Sequence, residues 1–209
     1  MNKLPSLILG LLAAFGISWP FMVIYPYFHL ARLQPYIDPN TGEPAPPALS
    51  GLAAEGRKVY AANGCVSCHT QQVRLAPMFS DVSRELGPRS LVARDYLREQ
   101  PAFFGNLRLG PDLANVGLRQ SDRDWFYGHL LEPASFDPGS IMPAYRFLFE
   151  TKKIQGQSSD RAVLGLTGPQ APKPGYEVLP THDAEALVAY LLSLKHNYFL
   201  PEAAPPPKP

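Results

Sequence analysis

Cys65-Val66-Ser67-Cys68-His69 sets two thiols three residues apart with an imidazole directly after the second, and the chain has no other cysteine. Two thiols at that spacing on one tight turn can reach the two vinyl groups along one porphyrin edge and form thioethers. The adjacent histidine can then rise beneath the iron as its proximal ligand. The competing chemistries each lack something: a zinc site needs a second ligand pair, and a redox dithiol has no use for the histidine. The expectation is one covalently attached haem c held by Cys65, Cys68 and His69.

The far side of the iron needs a second ligand, and four methionines give a short list. Met1 and Met22 lie in an apolar amino-terminal region, which leaves Met78 and Met142. Met142 sits in Pro138-Gly139-Ser140-Ile141-Met142-Pro143, a proline-punctuated loop that can hold a thioether rigidly and makes a poor core element. Met78 lies so soon after His69 that the chain would have to wrap the haem edge without an intervening element. Met142 is the favoured ligand, with Met78 and His129 as alternatives, and His129 also reads as an ordinary structural residue. A histidine and a methionine together raise the reduction potential and leave no open position, which suits electron transfer over oxygen or peroxide chemistry.

These groups must be positioned by helices. Ser50 can cap a helix running to about Asn63 and leading into Cys65, with Leu52, Gly56, Val59 and Tyr60 along one face. A last helix begins near Thr181, and Leu187, Tyr190, Leu191 and Leu194 form its apolar stripe. Gly56 would let the two approach closely. Ser121 followed by Asp124 reads as the start of a third helix, through Leu131. Between Gln71 and Leu109 lies a long insertion with six arginines among four acidic residues, which composition alone reads as a solvated loop.

Outside this domain, Leu4 to Leu30 contains no Asp, Glu, Lys or Arg. The segment from Leu7 to Phe28 would span roughly 33 Å as a helix, against a hydrocarbon core of about 30 Å. It is longer than the apolar core of a cleaved signal and does not end near a small-x-small cleavage site, and Trp19, Tyr25, Tyr27 and Phe28 crowd its carboxyl end as interfacial rings do. The division expected is an anchor over 1–32 in membrane lipid, a Pro-rich linker over 33–49, one cytochrome domain over 50–200 and a Pro-rich tail over 201–209. With 19 basic against 18 acidic residues, the chain has no polybasic character, and nucleic acid is excluded as a partner.

Four segments occur in order: Gly56-Arg57-Lys58-Val59-Tyr60, then Cys65 to Arg74, then Gly110-Pro111-Asp112-Leu113-Ala114-Asn115-Val116-Gly117, then Met142-Pro143-Ala144-Tyr145. With the insertion ending Phe103-Phe104-Gly105-Asn106-Leu107-Arg108, they resemble the mono-haem cytochrome c subunit, subunit II, of cbb3-type cytochrome c oxidases. The chain departs from that family at Phe104-Gly105-Asn106, where Trp-Gly-Ser is common, and at a local insertion over Lys173 to Pro180.

The resemblance implies an all-α fold: a class I cytochrome c-like haem domain with a long loop insertion, on one N-terminal transmembrane helix. It implies that the Pro111 carbonyl accepts a hydrogen bond from the proximal histidine. Arg108 and Arg119, flanking the Gly-Pro turn, become candidate partners of the haem propionates. It implies an electron-transfer subunit with no active site of its own, in a bacterial inner membrane with the haem domain periplasmic. Electrons would arrive from another cytochrome c subunit or a soluble cytochrome donor and leave for a catalytic haem-copper oxidase subunit. A small cytochrome subunit of a nitric oxide reductase is the alternative, against which the Gln71 to Leu109 insertion argues. The apolar run Pro101-Ala102-Phe103-Phe104 is expected to be an exposed docking surface, since adjacent exposed rings are costly unless a partner covers them.

Overall fold

The computed structural model describes residues 3–49, 51–75, 78–168 and 171–203. Its amino-terminal part is one continuous helical run, Leu4–Leu30, with a mean hydropathy of 2.2 and no buried residue in its most apolar window. At 1.5 Å per residue the run is about 40 Å long, enough to cross a hydrocarbon core of about 30 Å. It comprises α1 (Leu4–Trp19), a π-helical turn (Pro20–Ile24) and α2 (Tyr25–Leu30). The turn begins at Pro20, which has no N–H to give the helical ladder, and the Tyr25 amide bonds back to the Pro20 carbonyl.

The domain beyond it is organised by one helix crossing. α3 (Gly51–Ala62) packs against α6 (His182–Ser193) with Gly56 at the contact, where an added Cβ would stand 1.8 Å from the Ala186 carbonyl oxygen and 2.8 Å from the Tyr190 Cβ. Tyr60, one turn beyond Gly56, meets Tyr190 edge-on at 5.5 Å and Phe103 at 5.4 Å. Leu187, Tyr190, Leu191 and Leu194 are all buried. Thr181 starts α6: its hydroxyl accepts from the Ala184 amide and donates to the Leu148 carbonyl. Ser50, the expected cap of α3, lies outside the described residues.

Two short helices complete the helical part, α4 (Val116–Arg119) and α5 (Arg123–Leu131). The cap of α5 is Asp122, not Ser121: its carboxylate accepts from the Asp124 amide at 2.9 Å. The aspartate supplies a stronger acceptor one residue closer to the helix, so the serine reading is corrected. Helices dominate, but the all-α expectation is incomplete, because two small antiparallel sheets are present. β1 (Tyr36–Ile37) pairs with β2 (Pro44–Ala45), and β3 (Phe149–Lys153) pairs with β4 (Tyr176–Pro180) in the register Thr151 to Val178. The segment read as a local insertion over Lys173 to Pro180 therefore carries a strand.

The insertion is more than a solvated loop, because part of it is buried. Asp81 and Asp95 are buried in it, and each is ion-paired: Asp81 with Arg74 and Arg108 at 2.9 and 2.7 Å, Asp95 with Arg89 at 2.8 Å. A buried carboxylate persists only when its charge is matched and its lone pairs are occupied. Phe103 is also buried, against Tyr60 and with the Arg57 guanidinium over its face at 4.3 Å, whereas Phe104 is about half exposed and leans on Tyr96. The expected exposed pair is thus corrected to one exposed ring, because Phe103 belongs to the domain's own core.

Gly56→Ala tests the crossing. Forcing a methyl into that contact is expected to destabilise the domain by about 1–3 kcal/mol or more, read as an earlier midpoint in denaturant. An unchanged midpoint would show that the two helices can separate freely at this point.

Candidate functional site

The two thiols are brought together by the way α3 ends. Gly64 adopts a left-handed conformation, φ 68°, which halts the helix and turns the chain into Cys65–Ser67, a single turn of 3-10 helix. The Cys68 and His69 amides both return to the Cys65 carbonyl, at 3.2 and 3.0 Å, so the two cysteines and the histidine occupy one tight turn. Burial pushes the Cys65 thiol up to about 11, helped by Cys68 and opposed by its contact with the Tyr145 hydroxyl.

His69 is fixed from behind. Its Nδ1 lies 2.7 Å from the Pro111 carbonyl oxygen, which can only accept, so Nδ1 carries the proton and Nε2 keeps its lone pair. Gly110 makes room for the ring, since a Cβ there would stand 2.2 Å from His69 Cε1. The Gly-Pro turn is itself tied to the attachment turn, with the Gly110 amide donating to the Cys68 carbonyl at 3.1 Å and the Leu113 amide to the Thr70 carbonyl at 2.8 Å. Gly105, at φ 71°, passes so close to the backbone of His69 that a Cβ would lie 2.9 Å from its carbonyl oxygen.

Asp112 locks the two strands of this arrangement together. Fully buried, it accepts from the Thr70 hydroxyl at 2.5 Å, the Gln72 amide at 2.7 Å and the Ala114 amide at 2.9 Å. Arg108 donates to the Thr70 hydroxyl, the Gln72 carbonyl and both oxygens of Asp81. Burial tends to raise the Asp81 carboxyl, but hydrogen bonds from Arg108 and Arg74 outweigh it and hold the group well below the usual carboxylate range. Arg119 donates to the Leu86 carbonyl at 2.8 Å and to the Asp112 carbonyl. Both arginines flank the Gly-Pro turn as expected, but their donors run to protein acceptors that any propionate would have to share. Asp112, Thr70 and Asp81 were not anticipated; the one available signal was an aspartate directly after the Gly-Pro turn.

The Met142 loop is folded onto the same side of the core. Its backbone is held by the Asp137 carboxylate, which accepts from the Gly139 amide, and by the Ser140 hydroxyl, which accepts from the Met142 amide. The Tyr145 amide donates to the Leu130 carbonyl at 2.8 Å, and its side chain reaches the Cys65 thiol, so the loop and the attachment turn meet through Tyr145. Met142 is half-buried against the core, while Met78 and Met22 are each about three-quarters exposed. His129 stacks on Trp125 at 4.7 Å and meets Phe136 edge-on, and its Nδ1 is buried without a hydrogen-bond partner among the described residues. Burial first, and then nearby His69, keep its imidazole below the ordinary histidine value and so neutral at pH 7.

These residues fit a covalently bound haem. Two thiols share one turn, an imidazole is tautomer-fixed with Nε2 free to ligate, and a glycine leaves its ring the space it needs. Residues 21–167, more than half of the chain, match the family described as cytochrome C oxidase, mono-heme subunit/FixO. No curated protein matches the chain.

The glycine contacts supply a paired test. Gly110→Ala should displace His69 from the Pro111 carbonyl and lower the yield of haem-loaded protein several-fold, whereas Gly139→Ala, whose nearest neighbour would be 3.5 Å away, should leave it unchanged. Equal yields, measured by visible absorbance per chain, would separate the proximal geometry from haem binding.

Proposed function

The chain belongs to the family of mono-haem subunits of cytochrome c oxidase, and from that premise we propose how its own residues hold the haem and where its electrons go. As a member of that family it is the membrane-anchored cytochrome of a cbb3-type terminal oxidase and relays electrons within it. Cys65 and Cys68 would hold a single haem c through two thioethers, and His69, through Nε2, and Met142 would be its iron ligands. Bound there, the haem supplies a one-electron iron couple. The domain takes a class I cytochrome c-like arrangement, with α3 and α6 crossing behind the attachment turn. The observation that carries this reading is the bond from His69 Nδ1 to the Pro111 carbonyl, because it orients the imidazole and raises its basicity as an iron ligand.

The protein's part is to keep both iron ligands in place through oxidation and reduction. The Pro111 carbonyl holds the imidazole, the Asp112 and Arg108 network holds the turn that bears that carbonyl, and Tyr145 ties the Met142 loop to the attachment turn. A haem held by both His69 and Met142 would leave no open position for oxygen, whose reduction falls to the catalytic haem-copper subunit in this proposal. Electrons come from another cytochrome c subunit or a soluble cytochrome donor. Arg108 and Arg119 are proposed to approach the propionates from the Gly-Pro side, sharing their protons with the acceptors they already serve. The helix Leu4–Leu30 runs with its amino end inside, and the haem domain is periplasmic in a bacterial inner membrane, the compartment where haem is attached to such chains.

The covalent assignment has a direct check. Denatured protein should retain one haem per chain by mass, the Cys65→Ala, Cys68→Ala double variant should lose it, and oxidase turnover of the assembled complex should fall by at least tenfold. Haem released from the native chain on denaturation would contradict the thioethers. Turnover unaffected by the double variant would contradict the relay.

A further inference from the structure

The stretch that leaves the membrane has the Pro-rich composition of an extended spacer, yet it is gripped. The anchor ends at Leu30, and the Leu33 amide bonds back to the Leu30 carbonyl at 3.0 Å. At Gln34 the backbone carbonyl accepts from the Arg94 guanidinium, whose Nε also donates to Glu202 at 2.5 Å. At Pro46 the carbonyl accepts from Arg98 Nε at 2.9 Å. Between these two ties the β1–β2 hairpin lays Ala45 against Leu200 and Ala203 in a small buried cluster that Tyr36, Val92 and Tyr198 complete, and Tyr36 meets Phe199 edge-on at 5.8 Å.

Both gripping arginines belong to the insertion, in and just after the short turn Ala93–Tyr96. That turn is anchored in the domain by the buried Arg89–Asp95 pair, whose carboxylate also accepts from the Val92 amide at 2.8 Å, and Arg89 lies over the Tyr198 ring at 5.5 Å. Solvent-facing ion pairs such as Arg94–Glu202 contribute little by themselves. The apolar cluster supplies most of the adhesion, and the arginines select which backbone carbonyls are held.

We propose that this part of the insertion is a clasp that fixes the haem domain to the chain as it leaves the membrane, with Arg94 and Arg98 as positioning residues, so that the domain works as a stationary relay and not as a tethered shuttle. The proposal rests on the electron-relay reading given above. Left free, a Pro-rich linker over 33–49 would extend at about 3.1 Å per residue, a reach of roughly 50 Å. Clasped at Gln34, the domain is tied at most about 14 Å of chain from the end of the anchor. Electron transfer slows exponentially with separation, so a domain held at one distance transfers at one rate, whereas a swinging one samples many.

The experiment uses the full chain in its assembled complex. Hydrogen exchange over residues 34–47 should be slow in the native protein and should accelerate at least tenfold in the Arg94→Ala, Arg98→Ala double variant, with α3 and α6 unchanged. In the same variant, reoxidation of the haem by oxygen should slow several-fold and spread over several phases while its absorbance spectrum and reduction potential stay fixed. Arg94→Lys, which can still reach one carbonyl, should restore part of both. If the double variant loses its haem spectrum, Glu202→Gln gives the same two readings in smaller degree. Exchange over 34–47 at free-peptide rates in the native chain would overturn the clasp, and so would a loosened segment with single-phase reoxidation at the native rate. Failure of the relay reading would register separately, as a complex whose turnover ignores loss of the haem, with the exchange result untouched.

Discussion

A single backbone carbonyl, that of Pro111, determines what His69 can do. An imidazole free to rotate would offer either nitrogen to the iron, with the ring at any angle; one whose Nδ1 is committed to a fixed acceptor offers Nε2 in a fixed plane. Everything nearest this bond serves to keep that carbonyl still. The Gly110 and Leu113 amides tie its turn to the segment carrying the histidine, and Asp112 collects three further donors from both sides of the contact. Since the acceptor is main chain, no substitution at Pro111 removes it, but any change that moves the turn moves the histidine.

Burial makes that arrangement depend on the insertion. Asp112 and Asp81 lie out of solvent, where an unmatched carboxylate costs several kcal/mol, and it is Arg74 and Arg108, both from the insertion, that match Asp81. Arg108 bridges Asp81 to Thr70 and to the Gln72 carbonyl, so the insertion shapes the wall behind His69. Further along, the same segment turns its arginines outward to the chain leaving the membrane. A long loop without regular structure is uncommon in a compact domain unless it has such work, and here its hydrogen bonds take the place of a helix or sheet.

The parts legible in the sequence are those where chemistry or periodicity demands a pattern. Cys65, Cys68 and His69 share one tight turn as their spacing implies, the stripe on α6 follows a helical period, and Gly56 marks a contact no larger side chain could make. The proximal network was hidden because Thr70 and Asp112 stand 42 residues apart, outside any regular element that would bring them together. β3 was hidden because its sequence, Phe-Glu-Thr-Lys-Lys, buries only its first residue and shows no alternation. Phe103 and Phe104 are the same residue type in adjacent positions, and only the close approach of Tyr60 and Arg57 decides which of them is core.

Carbon monoxide binding to the reduced protein tests the proposed distal ligand most directly. The native chain, with His69 and Met142 on the iron, should bind none and give a six-coordinate, low-spin spectrum. Met142→Ala should bind it readily and show a lower reduction potential, while Met78→Ala and His129→Ala behave as the native chain does. A Met142→Ala protein with the native spectrum and no carbon monoxide binding, alongside a Met78→Ala or His129→Ala protein that has lost both, would contradict the account.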